Sequence, residues 1–327
     1  MPVHDPSKPT AALFHPDFLE PGIPRDFIRD PWDSERMART WQVMQDAGLD
    51  YQWIQPRPAP REIIELVHPP EYVDTIIGYS DGTLARNDDY RIVNADTALY
   101  SNSYHCAALG VGAECAAIDA IAEGRARNAF IIVRPGDHHA YATRGGGFCL
   151  FNFGAVGARY AQKKYGLDRV LIIDWDVHHG NGTQAIFYSD PSVYYYSIHQ
   201  FGGFYPNTGH ETERGAGMGQ GATLNVNVPA GTGDQVFYRE FAKGLQSIRF
   251  DPQLIILVAG FDGHRDDPVG GLQLTEAIYP RLTELVMRYA DERCDGRIVS
   301  FVAGGYNPET YPTLALSHVR TLCGGER

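Results

Sequence analysis

Along most of the chain, short runs of consecutive apolar residues alternate with longer segments in which apolar residues recur at helical spacing. The short runs, at 130–133, 170–173, 193–198, 224–228, 254–259 and 298–302, predict buried strands. The segments near 154–165, 183–187, 234–248, 274–290 and 308–322 predict helices. Continuously apolar strands with helices between them indicate a mostly parallel sheet that is covered on both faces. The pattern therefore predicts a single α/β domain over residues 1–327.

The first 90 residues have a different pattern. They are rich in proline at both ends, and helical spacing predicts helices only at 34–47 and 70–77. A third helix is predicted at 104–122, where small apolar residues recur and Gly124 follows as a stop signal. We therefore expect an irregular N-terminal part that packs on the α/β domain.

Composition and charge narrow the class of protein. Of the 327 residues, 43% are hydrophobic and 21% are charged, which excludes a disordered chain. The net charge of -12 argues against nucleic acid or an anionic membrane as a partner. The start of the chain has no signal-peptide pattern, and no apolar run approaches the ~20 residues of a membrane span. The five scattered cysteines include no C-x-x-C pair, so we expect reduced thiols and a cytoplasmic location.

Titratable residues follow four of the predicted strands directly. The segments 134–139 and 174–181 follow the first two of these strands, and Asp262 and Tyr306 follow the last two. Ligands of open α/β sheets bind beyond the carboxyl ends of the strands. We therefore expect the functional site at this edge of the sheet.

The sequence D-x-D-x-H at 174–178 is the strongest chemical signal. In an extended chain, alternation places Asp174, Asp176 and His178 on one face. With Asp262 from another strand they form a mixed nitrogen and oxygen set, which favours a catalytic zinc ion with one open position. Alternatively, the two aspartates cap the following helix and the histidine only packs in the loop, but Asp262 and the nearby histidine pair favour the metal.

Two further features indicate acid and base chemistry. Different partners can separate the pKa values of the adjacent imidazoles of His138 and His139, so that one serves as a base and the other as an electrostatic helper. Tyr306 follows two glycines that let the backbone approach the site, and its phenol could stabilise an oxyanion. A buried core tyrosine is the alternative.

Seven motifs occur in a fixed order: R-P-G-D-H-H-A, G-G-G-F-C-L-F-N, D-W-D-V-H-H-G-N-G-T-Q, F-Y-P-N-T-G, A-G-F-D, D-D-P-x-G-G and G-G-Y-N. In these motifs, the chain from about Glu71 onward resembles the histone deacetylase and acetylpolyamine amidohydrolase superfamily. Asn181 stands where class I enzymes usually have Asp, so the chain is similar to class II and bacterial members. The resemblance implies a three-layer α/β/α arginase/deacetylase-like fold with a central, mostly parallel sheet.

The resemblance also implies metal sites. Asp176, His178 and Asp262 would bind zinc, with iron as the alternative metal in the cell. A structural potassium ion would bind near Asp174 and Ser197.

By the same resemblance, the catalytic residues are assigned. Asp174 would hydrogen-bond His138, while His139, next to Asn181, would be the general base and then the general acid. Tyr306 would polarise the substrate carbonyl.

The channel for the substrate is implied by the family pattern as well. Phe148 and Tyr205 would form its aromatic walls, Gly147 would contact the substrate, and Asp96 would be the carboxylate at the rim. Plain core packing is the alternative for Phe148. Val269 occupies the place of an acidic gatekeeper in polyamine-selective members, which weakens a polyamine interpretation.

Two other residues depart from the family pattern: Asp137 replaces the usual Gly, and Ala303 replaces a Glu that many class II members carry. Neither lies at a predicted ligand position. Both therefore bear on the shape of the substrate site more than on its chemistry.

Several functions remain in competition. We expect deacetylation of acetyl-lysine in proteins or peptides, and the alternative substrate is an acetylated polyamine or another small amide. The segment 80–98 is short for the insertion of polyamine-type members, which favours lysine. A zinc-holding module that binds acetylated or cationic ligands without turnover is a further alternative. A serine hydrolase, suggested by G-x-S-x-G at 78–82, lacks the buried strand before and the helix after that a nucleophile elbow needs. A two-metal arginase-like enzyme would need additional Asp and His ligands, for which Asp262 and His264 are only a poor match.

Overall fold

The computed structural model describes residues 7–19, 34–81, 91–94, 97–99, 101–134 and 136–324. The strands are β1 Thr10–Leu13, β2 Tyr51–Ile54, β3 Arg91–Asn94, β4 Thr97–Leu99, β5 Asn128–Ile131, β6 Val170–Asp174, β7 Val193–Gln200, β8 Thr223–Val228, β9 Leu254–Ala259 and β10 Ile298–Val302. The helices are α1 Ser34–Asp46, α2 Arg61–Ile64, α3 Pro70–Ser80, α4 Ser103–Ala122, α5 Phe153–Tyr165, α6 Asn181–Phe187, α7 Asp234–Ser247, α8 Ile278–Cys294 and α9 Tyr311–Leu322.

Eight strands form one parallel sheet in the order β2-β1-β5-β10-β9-β6-β7-β8. Every residue of β5, β6, β7, β9 and β10 is buried, as their continuous apolar runs predict. The α/β prediction is confirmed, and the sheet agrees with a three-layer α/β/α arrangement. The two remaining strands, β3 and β4, pair antiparallel outside this sheet.

The order of the strands positions the site. The four strands that precede the titratable segments are β5, β10, β9 and β6, and they lie side by side in the sheet. Because neighbouring parallel strands end at the same edge, the residues that follow them are brought together there.

The N-terminal part differs from the expectation. Helices α1 and α3 confirm the predicted segments, but the region also contains two strands of the main sheet, with β1 lying between β2 and β5. Each of these strands has only four residues, which is too short for a period to be recognised. The prediction that this part is irregular was therefore wrong where it supplies β1 and β2. The predicted helix at 274–290 also lies four residues too early relative to α8.

Helix α4 is long and apolar enough, by composition, to cross a membrane, but 83% of its most apolar window is buried in the fold. It packs against α5 as a core helix.

Glu114 lies in the middle of α4, is only 1% exposed, and has no hydrogen-bond partner for either carboxylate oxygen within the described part of the chain. A Cβ atom added at Gly157 of α5 would lie 2.5 Å from the Cγ atom of Glu114. Burial, and then the charge of Asp137, raise the pKa of Glu114 well above its usual 4.5.

We expect Glu114→Gln to stabilise the protein at pH 8 and to leave its stability unchanged at pH 4. As the pH rises above about 4.5, the unfolded chain loses the Glu114 proton while the folded chain keeps it, so the wild type loses stability. The variant has no proton to lose there. The gain in stability of the variant over the wild type should therefore grow steadily as the pH is raised from 4 to 8.

Urea unfolding at the two pH values measures this difference. The same change at the exposed Glu292 of α8 is the matched control, for which we expect no gain. Equal stability of the wild type and Glu114→Gln at pH 8 would show that the pKa of the buried Glu114 carboxyl group is not raised in the folded protein.

Candidate metal and catalytic site

Three potential metal ligands meet where β6 and β9 end. The Nδ1 atom of His178 lies 3.0 Å from Oδ1 of Asp176 and 3.0 Å from Oδ2 of Asp262. All three side chains are buried, and one donor atom from each lies within 4.8 Å of the others. The structure thus brings together the three predicted zinc ligands.

Backbone groups orient the two carboxylates. The amide of Gly304 donates to Oδ2 of Asp176 at 2.7 Å, and the amide of Val177 donates to Oδ1 of Asp262 at 2.9 Å. The other oxygen of each carboxylate therefore faces His178. A Cβ atom at Gly304 would lie 2.0 Å from Asp262 Oδ2, so only glycine leaves this space free.

The donor set suits a divalent zinc ion. One imidazole nitrogen and two carboxylate oxygens are ligands of catalytic zinc sites, in which the fourth position stays open. Burial opposes protonation of His178, but Asp176 and Asp262 together raise its pKa to about 10, so metal binding has to displace a proton. The residues present therefore fit the zinc site that the sequence predicts.

The predicted histidine pair has two different environments. His138 Nδ1 lies 2.9 Å from Asp174 Oδ2, and His139 Nδ1 lies 2.7 Å from Asn181 Oδ1. Burial opposes the charged form of His138, but Asp174 and Asp176 raise its pKa to about 9. Burial and the neighbouring histidines hold the pKa of His139 well below its usual 6.5. His138 is therefore suited to carry a charge, whereas a neutral His139 donates from Nδ1 and keeps Nε2 as an acceptor.

Asp174 does not join the metal ligands. The alternation in the sequence predicts Asp174, Asp176 and His178 on one face of a strand. This prediction is wrong, because β6 ends at Asp174 and the other two residues lie in the loop beyond it. The Asp174 carboxylate accepts hydrogen bonds from the Tyr195 hydroxyl at 2.8 Å and the Asp176 amide at 3.1 Å, in addition to its bond with His138.

The predicted potassium ligands lie opposite each other on paired strands. Asp174 of β6 is in register with Ser197 of β7, and the Ser197 hydroxyl is 2.8 Å from Nδ1 of His199. This proximity is compatible with the potassium site, which stays a prediction.

A cavity lies beside the predicted catalytic residues. It is lined by His138, His139, Asp176, Tyr306, Gly147 and neighbouring residues. A Cβ atom at Gly147 would lie 2.2 Å from Cδ2 of His139, so a larger residue would collide with this ring.

The two aromatic residues predicted for the channel walls also reach the site. The Phe148 ring is edge-on to Tyr306 at 6.3 Å, and the Tyr205 ring is edge-on to His139 at 5.2 Å. Tyr205 is 44% exposed and so also faces solvent. Asp96, the predicted rim carboxylate, lies outside the described residues.

Several residues that support the site were missed. The Phe204 ring stacks on His178 with centroids 4.9 Å apart, and the Tyr141 hydroxyl accepts a hydrogen bond from the Asn181 amide at 3.0 Å. Arg36 of α1 donates to the Gly305 carbonyl oxygen. Only Phe204 had a signal in the sequence, because it precedes Tyr205 in the same motif.

Two competing sites find no support. Ser80 ends helix α3, and its hydroxyl accepts a hydrogen bond from the Tyr104 amide, so the strand that a nucleophile elbow requires is absent before it. For an arginase-like second metal, His264 would be needed. Within the described residues, Asp176, His178 and Asp262 are the group whose donor atoms converge, and His264 is not part of it.

Comparisons with known proteins agree with one another. The histone deacetylase domain matches residues 30–322. The chain is 33% identical to polyamine deacetylase HDAC10 of Homo sapiens, over 96% of this chain and 48% of that protein. It is 35% identical to histone deacetylase clr3 of Schizosaccharomyces pombe, over 90% of this chain and 45% of that protein. The chain thus spans about half the length of these curated relatives.

A solved structure extends the comparison to the fold. The crystal structure of the HDA15 HD domain superposes with a TM-score of 0.90 at 33% sequence identity. The superposition covers 97% of this chain and 89% of that one.

Proposed function

The chain belongs to the histone deacetylase family, and from this premise we propose that it is a zinc-dependent hydrolase of N-acyl amides whose substrates are acetyl-lysine side chains of proteins or peptides. The observation that carries the proposal is the convergence of three buried potential metal ligands, of which Asp176 lines one cavity together with His138 and His139. Iron is the alternative metal in the cell, and a potassium ion near Asp174 and Ser197 is part of the proposal. We place the enzyme in the cytoplasm.

Held by Asp176, His178 and Asp262, zinc would act as a Lewis acid on the amide carbonyl and would lower the pKa of water. His139 takes the proton of the attacking water on Nε2, because its Nδ1 is occupied by Asn181. The same nitrogen then returns the proton to the leaving amine.

Two other groups stabilise the negative charge that develops on the carbonyl oxygen. His138, charged beside Asp174, supplies a positive charge near the reaction centre. Tyr306 donates a hydrogen bond from its hydroxyl. Burial raises the pKa of Tyr306 well above its usual 10, so the phenol keeps its proton and stays a donor.

The side chains near the opening favour a lysine substrate. Phe148 and Tyr205 offer aromatic rings on which the aliphatic part of an acyl-lysine can pack. Val269 is exposed and apolar where a polyamine-selective member carries an acid. A second ammonium group of a polyamine would therefore find no carboxylate at this position.

The test is acetate release by the zinc-loaded protein from an acetyl-lysine peptide and from acetylated polyamines at matched concentrations. We expect faster release from the peptide, and a chelator should abolish it. A preference for polyamines would contradict the argument from Val269 and leave the hydrolytic chemistry in place. A zinc-loaded protein that releases no acetate but still binds a hydroxamate inhibitor would contradict the proposed hydrolase activity and support a binding module.

A further inference from the structure

Asp267 connects the loop after β9 with the loop after β10. Its side chain is buried, with 8% of the residue exposed. The Oδ2 atom accepts a hydrogen bond from the Tyr306 amide at 2.6 Å. The Oδ1 atom accepts from the amides of Val269 at 2.9 Å and Gly270 at 3.2 Å. One carboxylate therefore holds two separate loops together.

The turn that Asp267 holds also lies against a metal ligand. A Cβ atom added at Gly270 would lie 1.8 Å from the carbonyl oxygen of Asp262, so this turn packs directly on the backbone of Asp262. A second hydrogen bond joins the same two loops, because the Asn307 side-chain amide donates to the Asp266 carbonyl oxygen at 2.8 Å. The distance between the metal ligands and Tyr306 thus depends on the Asp267 turn.

A carboxylate is suited to this place because both of its oxygens are acceptors. The three hydrogen bonds to Asp267 come from backbone amides and are divided between its two oxygens, whereas a side-chain amide or hydroxyl has a single acceptor oxygen. The described residues that line the cavity include Tyr306 but not Asp267. Any effect of Asp267 on catalysis therefore has to pass through another residue.

We propose that Asp267 is a positioning residue for Tyr306. It fixes the backbone from which the catalytic phenol projects, and it joins that backbone to the turn of Val269 and Gly270. The position of the hydroxyl donor is then set by this carboxylate. This inference rests on the proposed function, in which Tyr306 is the hydrogen-bond donor.

The first test is Asp267→Asn. The amide keeps one acceptor oxygen, but its NH2 group cannot accept from the loop on the other side. Because a misplacement of about 1 Å can cost ~100-fold in rate, we expect kcat to fall about 10- to 100-fold with KM and zinc content nearly unchanged. Asp266→Asn is the matched control: it removes the same charge from the adjacent, 58% exposed side chain and should change kcat less than about twofold.

A double-mutant cycle separates positioning from a general structural effect. If Asp267 acts through the Tyr306 hydroxyl, Asp267→Asn should lower kcat in the wild type but not in Tyr306→Phe. Multiplication of the two losses in the double variant would overturn the proposal. Asp267→Ser, which keeps one acceptor, takes the place of the asparagine variant in the cycle if that variant does not fold.

Hydrogen exchange of the Tyr306 amide supplies a measurement that needs no activity. We expect faster exchange in Asp267→Asn than in the wild type and in Asp266→Asn. Unchanged exchange would overturn the proposal. If the wild type releases acetate from no amide, the proposed function fails, while the exchange rate still shows whether the carboxylate holds this loop.

Discussion

His178→Ala should lose both its zinc and its turnover. The imidazole is the one nitrogen donor of the converging group, and its Nδ1 atom lies between Asp176 and Asp262. Without it, the two buried carboxylates lose the imidazole that lies between them, and the donor set falls to two. We expect metal analysis to show substoichiometric zinc, and acetate release to fall to the rate of the chelated wild type.

The adjacent histidine provides the control. His179 is also buried, but its Nδ1 lies 2.8 Å from the Thr208 hydroxyl and its Nε2 lies 3.0 Å from Gln184, so it faces away from the metal ligands. We expect His179→Asn to keep a full equivalent of zinc. A His178→Ala variant that also kept zinc and activity would show that the metal is held elsewhere.

The position of the site at one edge of the sheet could be predicted, because it depends on local features of the sequence. Apolar runs such as β6 and β9 are recognisable in the sequence, and polar residues at their carboxyl ends must lie at one edge of a parallel sheet. Asp176, His178 and Asp262 follow from this rule. Their separate roles do not, since Asp174 has the same chemistry as Asp176 and is distinguished only by its contact with His138. That distinction came from the family resemblance.

The missed elements depend on contacts between distant parts of the chain. Arg36 and Gly305 are 269 residues apart, and no periodicity relates them. Strand β1 becomes part of the sheet only because its four residues pair with β2 and β5 on either side. Glu114 is a different case, because a charged residue in an apolar helix is ordinarily expected at the surface. Its burial follows from the packing of α5 on α4, which the sequence of α4 does not show.

His139→Ala should reduce kcat by about 10²- to 10⁴-fold and leave zinc in place. General-base catalysis contributes rate factors of this size. His139 is not a metal ligand in the proposed site, and its Nδ1 is bound to Asn181. Zinc content and kcat are therefore expected to separate in this variant, whereas they fall together in His178→Ala.

Chemical rescue tests whether the missing imidazole is the base. Removal of the His139 ring leaves a space of about the size of an imidazole beside Gly147. Because Gly147 has no side chain, nothing at that position fills this space. Added imidazole should restore part of kcat to His139→Ala, but none to Tyr306→Phe, because the lost phenol hydroxyl cannot be replaced by a base. Rescue of both variants, or loss of zinc from His139→Ala, would contradict the division of roles. Rescue of His139→Ala alone would show that proton transfer and oxyanion stabilisation belong to different side chains of one cavity.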